Sequence, residues 1–515
     1  MTSPFRQVYR CDYQAVWLGL GTIVLLLGWF FLDGDIGVNF ADEGYLWYGT
    51  EALQRGEVPM RDFQAYDPGR YVWTAAWSFV LGRDLVALRL ACTLFACLGV
   101  FAGLLAARRL SRNGWFLTSV ALLLAAWMHP RYKSFEQSIA LMSVYAGVLL
   151  LEHPTARRHF GVGVFGGLVA FMGRNHGLYH VMAFGVLIGY VAWSRGGRDW
   201  WLGGASWAAG LVMGYLPQWT MFVLVPGYLR AFLQSLQEIS AKGTNLSVAV
   251  PWPWRVPLPY NDIMWAPSFI EGCFYLLFPI FFVCVGVGMC WLGRERLRQQ
   301  PMLLAVAFVC LPYAHYVFSR PDLVHLGHAA PVLALGTIAL AVNCTRLWKV
   351  VAPLLACASL LTVVPHTGLA RKLFGSKIFV RVPLAGETMF IQINEASLVS
   401  KAGTLAQKLA KPDEPILFLP HFPALYPLTG RRSPIRQIYF ILPATAEEDR
   451  QTVAEIEAAG VQWVLLNDYA LDNRDDLRFQ NTNPIVFEHL RANFGAVPVE
   501  KLPSNLTVLR RFRRP

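Results

Sequence analysis

Two carboxylates stand side by side at Asp42 and Glu43, and the stretch that carries them, FADEGYLWYGTEALQRGEVPMRDFQAYDPGRY, adds Glu51, Glu57, Asp62, Asp67, Arg55, Arg61 and Arg70. A carboxylate with a free face can take a proton from an attacking group, and guanidinium forks can hold an oxyanion. Further candidates lie downstream: Arg131, Lys133 and Glu136 in PRYKSFEQ, Arg174 and His176 in FMGRNHGLYH, and Arg320, Asp322, His325 and His328 in HYVFSRPDLVHLGHAAP. Arg320 suits a phosphate because its fork is always charged. His325 and His328 share a helical face near Asp322, an incomplete zinc set with no H-E-x-x-H frame, so no metal site is assigned. Plainer readings stand beside these. Asp42 can be a helix N-cap with Glu43 complementing the macrodipole, and Arg131 and Lys133 can snorkel to lipid headgroups.

The elements that must position these groups begin with GYLWYGTEALQRG, which sets Tyr45, Tyr48 and Ala52, and Leu46 and Leu53, at helical spacings until Gly56 ends the pattern. The expectation is an amphipathic helix that can lie along a membrane interface, its apolar side facing lipid or the bundle, with the carboxylates at its start, where backbone N–H groups are free. A Pro59 turn beside Arg61-Asp62 and a second turn, Asp67-Pro68-Gly69, beside Arg70 lead into another amphipathic stretch. Arg89, inside the next apolar run, either reaches the site or snorkels outward.

Composition sets the wider frame. With 55% hydrophobic and 15% charged residues over 515 positions, the chain is too apolar for an ordinary soluble enzyme and reads as a multi-pass membrane protein. The net charge of +12 sits in short basic clusters between apolar runs, which is a positive-inside bias and excludes nucleic acid as the partner. The nine cysteines form neither a disulfide framework nor a zinc-finger spacing. A crossing helix needs about 20 apolar residues. Eleven runs are marked: Ala15 to Leu32, Leu85 to Ala107, Gly114 to Met128, Ser138 to Leu151, Gly161 to Met172, Leu178 to Trp193, Trp201 to Val225, Phe269 to Leu292, Met302 to Phe318, Ala329 to Val342 and Val350 to Val364. With Arg6 and Arg10 and the N-terminus cytoplasmic, the basic loops alternate correctly, and the Asp42 loop (33–84), the other candidate clusters and the C-terminal part all fall on the outer side.

Residues 1–367 are therefore expected as a transmembrane domain and 368–515 as an extracytoplasmic α/β domain. Within the latter, PDEPILFLP, GVQWVLLND and LTVLRRF read as strands and TAEEDRQTVAEIEAAG as a helix with a glycine stop. HFPALYPLTGRRSPIR adds Tyr426, Arg431, Arg432 and Arg436, as an acceptor contact or a solvated turn.

The loop resembles the GT-C superfamily of membrane glycosyltransferases, of the protein mannosyltransferase and aminoarabinose transferase type. Asp42, Glu43, Gly56, Pro59, Arg61, Asp62, Phe63, Pro68, Gly69 and Tyr71 match its first-loop pattern, while Met60 and Asp67 depart from it. The resemblance implies a GT-C-like helical membrane fold in the plasma (inner) membrane. It also implies sugar transfer, with inversion, from a polyprenyl-phosphate donor to a lipid, glycan or protein acceptor of the cell envelope. In that reading Asp42 is the base and Glu43 orients it or binds acceptor. Arg131, Lys133, Arg174 and Arg320 hold the donor phosphate. Tyr45, Arg61, Asp62, Asp67, Arg70, Glu136, His176, Asp322 and His325 contact substrate. No cofactor is required, and a divalent cation at Asp42 is left open because family members differ in metal dependence. The alternatives are a transporter or flippase of lipid-linked glycans and a non-catalytic partner that keeps the fold. A transporter would gather polar groups near mid-bilayer in repeated halves, which the one-sided polar load does not match.

Overall fold

A computed structural model describes residues 12–195, 200–243, 246–291, 294–344, 347–375, 378–499 and 505–512. Arg6, Arg10 and parts of three basic loops lie outside these. The helices of the first part run α1 (Tyr13–Asp33), α2 (Asp42–Gln54), α3 (Pro68–Leu81), α4 (Leu85–Ala107), α5 (Gly114–Ala126), α6 (Ser134–Glu152), α7 (Ala156–Met172), α8 (Arg174–Arg195), α9 (Trp200–Gly214), α10 (Leu216–Leu224), α11 (Tyr228–Lys242), α12 (Trp265–Trp291), α13 (Arg294–Arg298), α14 (Pro301–Ser319), α15 (Leu323–Gly327), α16 (Ala330–Cys344) and α17 (Trp348–Val363). Each of the eleven expected runs falls on a helix. Among the described residues, however, only seven helical stretches are long and apolar enough to cross a membrane by themselves. The shortfall has a physical source: α5, α7 and α16 are short, and the run Trp201 to Val225 is divided near Tyr215 into α9 and α10. The chain is a multi-pass membrane protein.

Small residues let two of the short helices pack closely. Gly163 and Gly167 of α7 face Gly210 and Gly214 of α9 so tightly that a Cβ on any of them would strike the other helix's backbone. This is the small-residue seam by which helices associate in lipid, where hydrophobic burial offers little.

The remainder comprises α18 (Gly368–Phe374), β1 (Phe379–Leu384), β2 (Glu387–Gln392), α19 (Ile393–Thr404), β3 (Ile416–Leu419), α20 (Leu425–Thr429), α21 (Ala446–Ala458), β4 (Trp463–Asn467), α22 (Phe479–Thr482), α23 (Pro484–Asn493), β5 (Phe494–Ala496) and β6 (Leu506–Arg511). β1 and β2 form an antiparallel hairpin, and the main sheet has the order β3-β4-β6-β5, with β3 parallel to β4 and the other pairs antiparallel. The three strands and the helix read from sequence are β3, β4, β6 and α21. Thr445 and Glu448 form a capping box at the start of α21, and Gly460, in the left-handed region at φ +60°, follows its end.

The Asp42 loop and the C-terminal sheet share one apolar core. Tyr48 meets Tyr426 and Phe63 at ring distances of 5.4 and 5.8 Å, and Tyr45 meets Tyr439 at 5.9 Å. Of the two settings open to the apolar side of this helix, lipid or protein, it has the second: α2 is buried on nearly every side, between α3 and α20. Gly44 admits the Ala424 backbone and Gly49 the Tyr71 ring, at positions where a Cβ would clash.

Candidate active site

The N-terminus of α2 is organised by three residues. Asn39 Oδ1 accepts from the backbone N–H groups of Ala41 (3.0 Å) and Asp42 (2.9 Å), so capping falls to Asn39 and not to Asp42. Glu43 is gripped by both arms of Arg89, at 2.7 Å each, and both side chains are almost fully buried. Arg89 also donates to the carbonyls of Gly34 and Gly37 at 2.8 Å each. It therefore turns inward and fastens the loop to α4, which leaves Asp42 as the carboxylate of the pair with an exposed face, about 31% of its side-chain surface.

Two cavities flank the start of α2: Asp42 itself lines neither, but its neighbours Ala41 and Glu43 border one and Tyr45 the other. The larger, about 840 Å³, is walled by Arg89, Arg131, Tyr132 and Arg371 on the membrane side and by His421 and Tyr439 on the C-terminal side. The smaller, about 320 Å³, is walled by Tyr45, Tyr66, Arg174 and residues of α11, with Arg436 and Tyr439 opposite. Tyr439 lines both, and the Asp42 charge reaches Tyr132 on one side, Tyr66 on the other and Tyr439 between them. Lys133 Nζ lies 3.8 Å from Asp42 Oδ2 and donates to the Tyr66 hydroxyl at 3.2 Å.

Behind this centre a buried chain begins at Arg70, whose guanidinium lies 4.8 Å from the Tyr66 ring centre. It donates to Glu136 Oε1 at 2.7 Å and reaches His176 Nε2 at 3.5 Å, and His176 Nδ1 meets the Tyr313 hydroxyl at 2.9 Å. Asp67 accepts from the N–H and Nε of Arg174, both at 3.0 Å, and Arg174 also donates to Ser235.

Other sequence candidates are placed differently. Arg61 and Asp62 pair with each other at 2.8 Å on the surface, and Arg61 donates to the Pro226 carbonyl; they line neither cavity. Arg131 and Arg174 line different cavities, so the four cations expected around one phosphate are not gathered. Arg320 is engaged by Asp322 at 2.8 Å and by both oxygens of Asp472 at 2.9 and 3.0 Å, which ties α14 to the C-terminal part. Asp322 caps α15 through the His325 N–H and accepts from His325 Nδ1 at 2.8 Å. Burial works to raise its pKa, but His325 and Arg320 hold it down at about 2. Among the described residues no cluster of three or more His, Cys, Asp or Glu side chains could hold a metal ion.

Sequence reasoning missed Asn39, Tyr66, Tyr132, Arg371, His421 and Tyr439. The charges of the larger cavity make Arg371 notable. Arg89 is matched by Glu43, and Arg131 by Asp33 at 3.0 Å. Arg371 donates only to the His366 carbonyl, at 3.1 and 2.5 Å, and meets no carboxylate among the described residues. Its position is set by Asp33, whose Oδ1 accepts from the Leu369 N–H of the same short helix at 2.5 Å. Burial, then the charges of Arg131 and Arg371, push the pKa of His129 on the same wall down to about 3. A small recess of about 20 Å³, lined by Leu26, Trp29, Ala96 and Met128, lies beside His129 and Arg131.

A multi-pass helical bundle with a C-terminal sheet packed against the Asp42 loop is the architecture this chain shares with membrane proteins of the GT-C fold. The structural comparison makes the likeness particular. ArnT from Cupriavidus metallidurans bound to undecaprenyl phosphate superposes with a TM-score of 0.56 at 14% identity, over 96% of this chain and 97% of that one. Its apo state gives 0.55 at 15% identity, over 97% and 98%. The apo oligosaccharyltransferase of Archaeoglobus fulgidus gives 0.50 at 10% identity, over 98% of this chain and 76% of that one. No protein-family model matches the chain, and no curated protein matches it in sequence.

Proposed function

We propose that this protein is a glycosyltransferase that moves a sugar from a polyprenyl-phosphate donor to an acceptor at the outer face of the inner membrane, with its N-terminus cytoplasmic and its C-terminal domain, 368–515, extracytoplasmic. The observation that carries this reading is the partly exposed Asp42 carboxylate at the start of α2, whose neighbours Ala41 and Glu43 border the larger cavity and Tyr45 the smaller. The fold supports it, and ArnT, which shares that fold, was solved with undecaprenyl phosphate.

In this reading the donor occupies the larger cavity. Its phosphate is met by Arg371 and Arg131. The acceptor, a lipid, glycan or protein, occupies the smaller cavity. Asp42 takes the acceptor proton as the acceptor attacks C1 of the sugar from the face opposite the phosphate, the bond from C1 to the phosphate oxygen breaks, and the configuration inverts. The phosphate departs as an anion matched by fixed cations, so no general acid is needed. Lys133 fixes the Asp42 carboxylate, and Glu43 with Arg89 fixes the helix that carries it. Tyr45 and Arg174 serve the acceptor side. Arg70, Glu136 and His176 support Tyr66 from behind.

The test is to reconstitute the purified protein in vesicles with labelled polyprenyl-phosphate sugars and envelope acceptors. Label should move to an acceptor with wild type and not with Asp42→Asn. Movement of intact donor across the bilayer without cleavage would overturn the assignment in favour of a transporter.

A further inference from the structure

A second kind of site lies at the other end of the bundle. α6 begins beside Lys133 and extends for 19 residues, which at about 1.5 Å per residue carries its far end roughly 28 Å away. There a groove of about 440 Å³ runs between α6 and α7, with Ala146, Leu149, Gly161, Val162 and Phe165 as its wall. Thr155, Arg157 and Arg158 form its mouth. It opens to the outside of the bundle, since Gly161 of its wall is exposed.

The mouth carries charge without compensation. Thr155 caps α7 by accepting from the Arg158 N–H, and the Arg158 side chain donates to the Leu149 carbonyl, which holds one guanidinium at the rim. The neighbouring carboxylate, Glu152, is engaged by Arg109 at 3.3 Å. Neither Arg157 nor Arg158 meets a carboxylate among the described residues.

Two cations above an apolar trench match a molecule with an anionic head and a hydrocarbon tail. A basic pocket between membrane helices is the usual seat of such lipids. A zwitterionic lipid would leave the guanidiniums facing its own cation, and a free phosphate would leave the trench unfilled. We propose that this groove binds an anionic glycerophospholipid, with the phosphate on Arg157 and Arg158 and one acyl chain along Gly161, Val162 and Phe165. The site is independent of the transfer chemistry. It secures the start of α7, whose other end supplies the Met172 carbonyl to Arg70.

The full chain would be reconstituted in nanodiscs of phosphatidylcholine with or without phosphatidylglycerol, and the retained lipid counted by native mass spectrometry beside the thermal midpoint. Wild type should retain phosphatidylglycerol preferentially and melt higher in its presence. Arg157→Ala with Arg158→Ala should retain roughly thirtyfold less, as expected from about 1 kcal/mol for each of the two basic residues near an anionic lipid surface. Gly161→Leu keeps both arginines, and its side chain enters open space in the trench, so it should lose the same lipid while remaining folded. Arg112→Ala, at the same end but outside the groove, should behave as wild type, and inorganic phosphate should not displace the lipid. Equal retention by wild type and the groove variants, an equal loss in Arg112→Ala, or displacement by inorganic phosphate would each overturn the proposal.

Discussion

The two cavities that flank the start of α2 and share Tyr439 differ in how their charges are balanced. In the smaller one Arg174 answers Asp67, Arg436 approaches Glu238 at 3.6 Å, and Lys242 answers Glu448, so α11 and the C-terminal part close a polar but internally matched space. In the larger one Glu43 and Asp33 answer Arg89 and Arg131, and Arg371 forms no ion pair among the described residues although Asp322 and Glu395 line the same cavity. Balanced polar walls suit a neutral, hydroxyl-bearing molecule, which asks for hydrogen bonds. An unmatched guanidinium suits an anion, because binding supplies the missing counter-charge.

The sharpest way to break the comparison is at the boundary. Asp42→Asn leaves both walls in place, so turnover should fall by about 10²- to 10⁴-fold, the usual worth of a general base, while the dissociation constant for a polyprenyl phosphate stays within about twofold. A large loss of affinity would mean that Asp42 belongs to the donor wall and does not stand between substrates.

Next in size is the buried pair that holds the boundary up. Arg89→Leu strands the Glu43 carboxylate among apolar neighbours, and loss of one partner of such a pair costs about 3–5 kcal/mol. The thermal midpoint in detergent should drop accordingly, and Glu43→Gln combined with Arg89→Leu should recover part of it. An unchanged midpoint in the single variant would show that the loop is held by its aromatic core alone.

Smaller effects should separate the cavities. Arg371→Ala should weaken polyprenyl phosphate binding about tenfold, the scale of one charge-assisted hydrogen bond, without changing the acceptor KM. Arg436→Ala should do the reverse, raising the acceptor KM several-fold, by a neutral-to-charged hydrogen bond, with donor affinity unaltered. Titration calorimetry and initial rates measure both. If the two variants shift the same constant, the division of labour fails.

How far the sequence reveals this site follows from where its parts lie along the chain. Asp42 and Glu43 were legible because they are adjacent and sit beside an apolar run. β3, β4, β6 and α21 were legible because strand and helix periods are local. His421 and Tyr439 reach the cavities only after the C-terminal part folds back on the Asp42 loop, and Arg371 only because Asp33 holds its short helix, so no local pattern marks them. The same long-range closure decides between lipid and protein for the apolar side of α2: Ala424 and Tyr71 cover it through Gly44 and Gly49, and neither partner is visible from the helix's own spacing. The β1 and β2 hairpin did carry a local signal in Ala385-Gly386, both in the left-handed region, at φ +48° and +97°. Asn39 displaces Asp42 as the cap because its side chain, three residues earlier, already meets the first free N–H groups of α2.

The weakest expected effect is a dependence on acid that belongs to one cavity only. His421 on the larger cavity is 8% exposed, and burial pushes its pKa down to about 4, although a hydrogen bond involving the Phe440 backbone opposes this. An unfolded histidine titrates near 6.5, so between about pH 6.5 and 4 the unfolded chain binds a proton that the fold refuses. The contribution of neutral His421 is therefore complete above about pH 6.5 and is lost as the pH falls toward 4, with a slope of at most roughly 1.4 kcal/mol per unit. His421→Gln should flatten the fall of the melting temperature across that window. Tyr439 shares the wall with His421 but also faces the smaller cavity, so acid should disturb donor binding before acceptor binding. The opposite order, or an unflattened slope, would place the acid-sensitive group elsewhere.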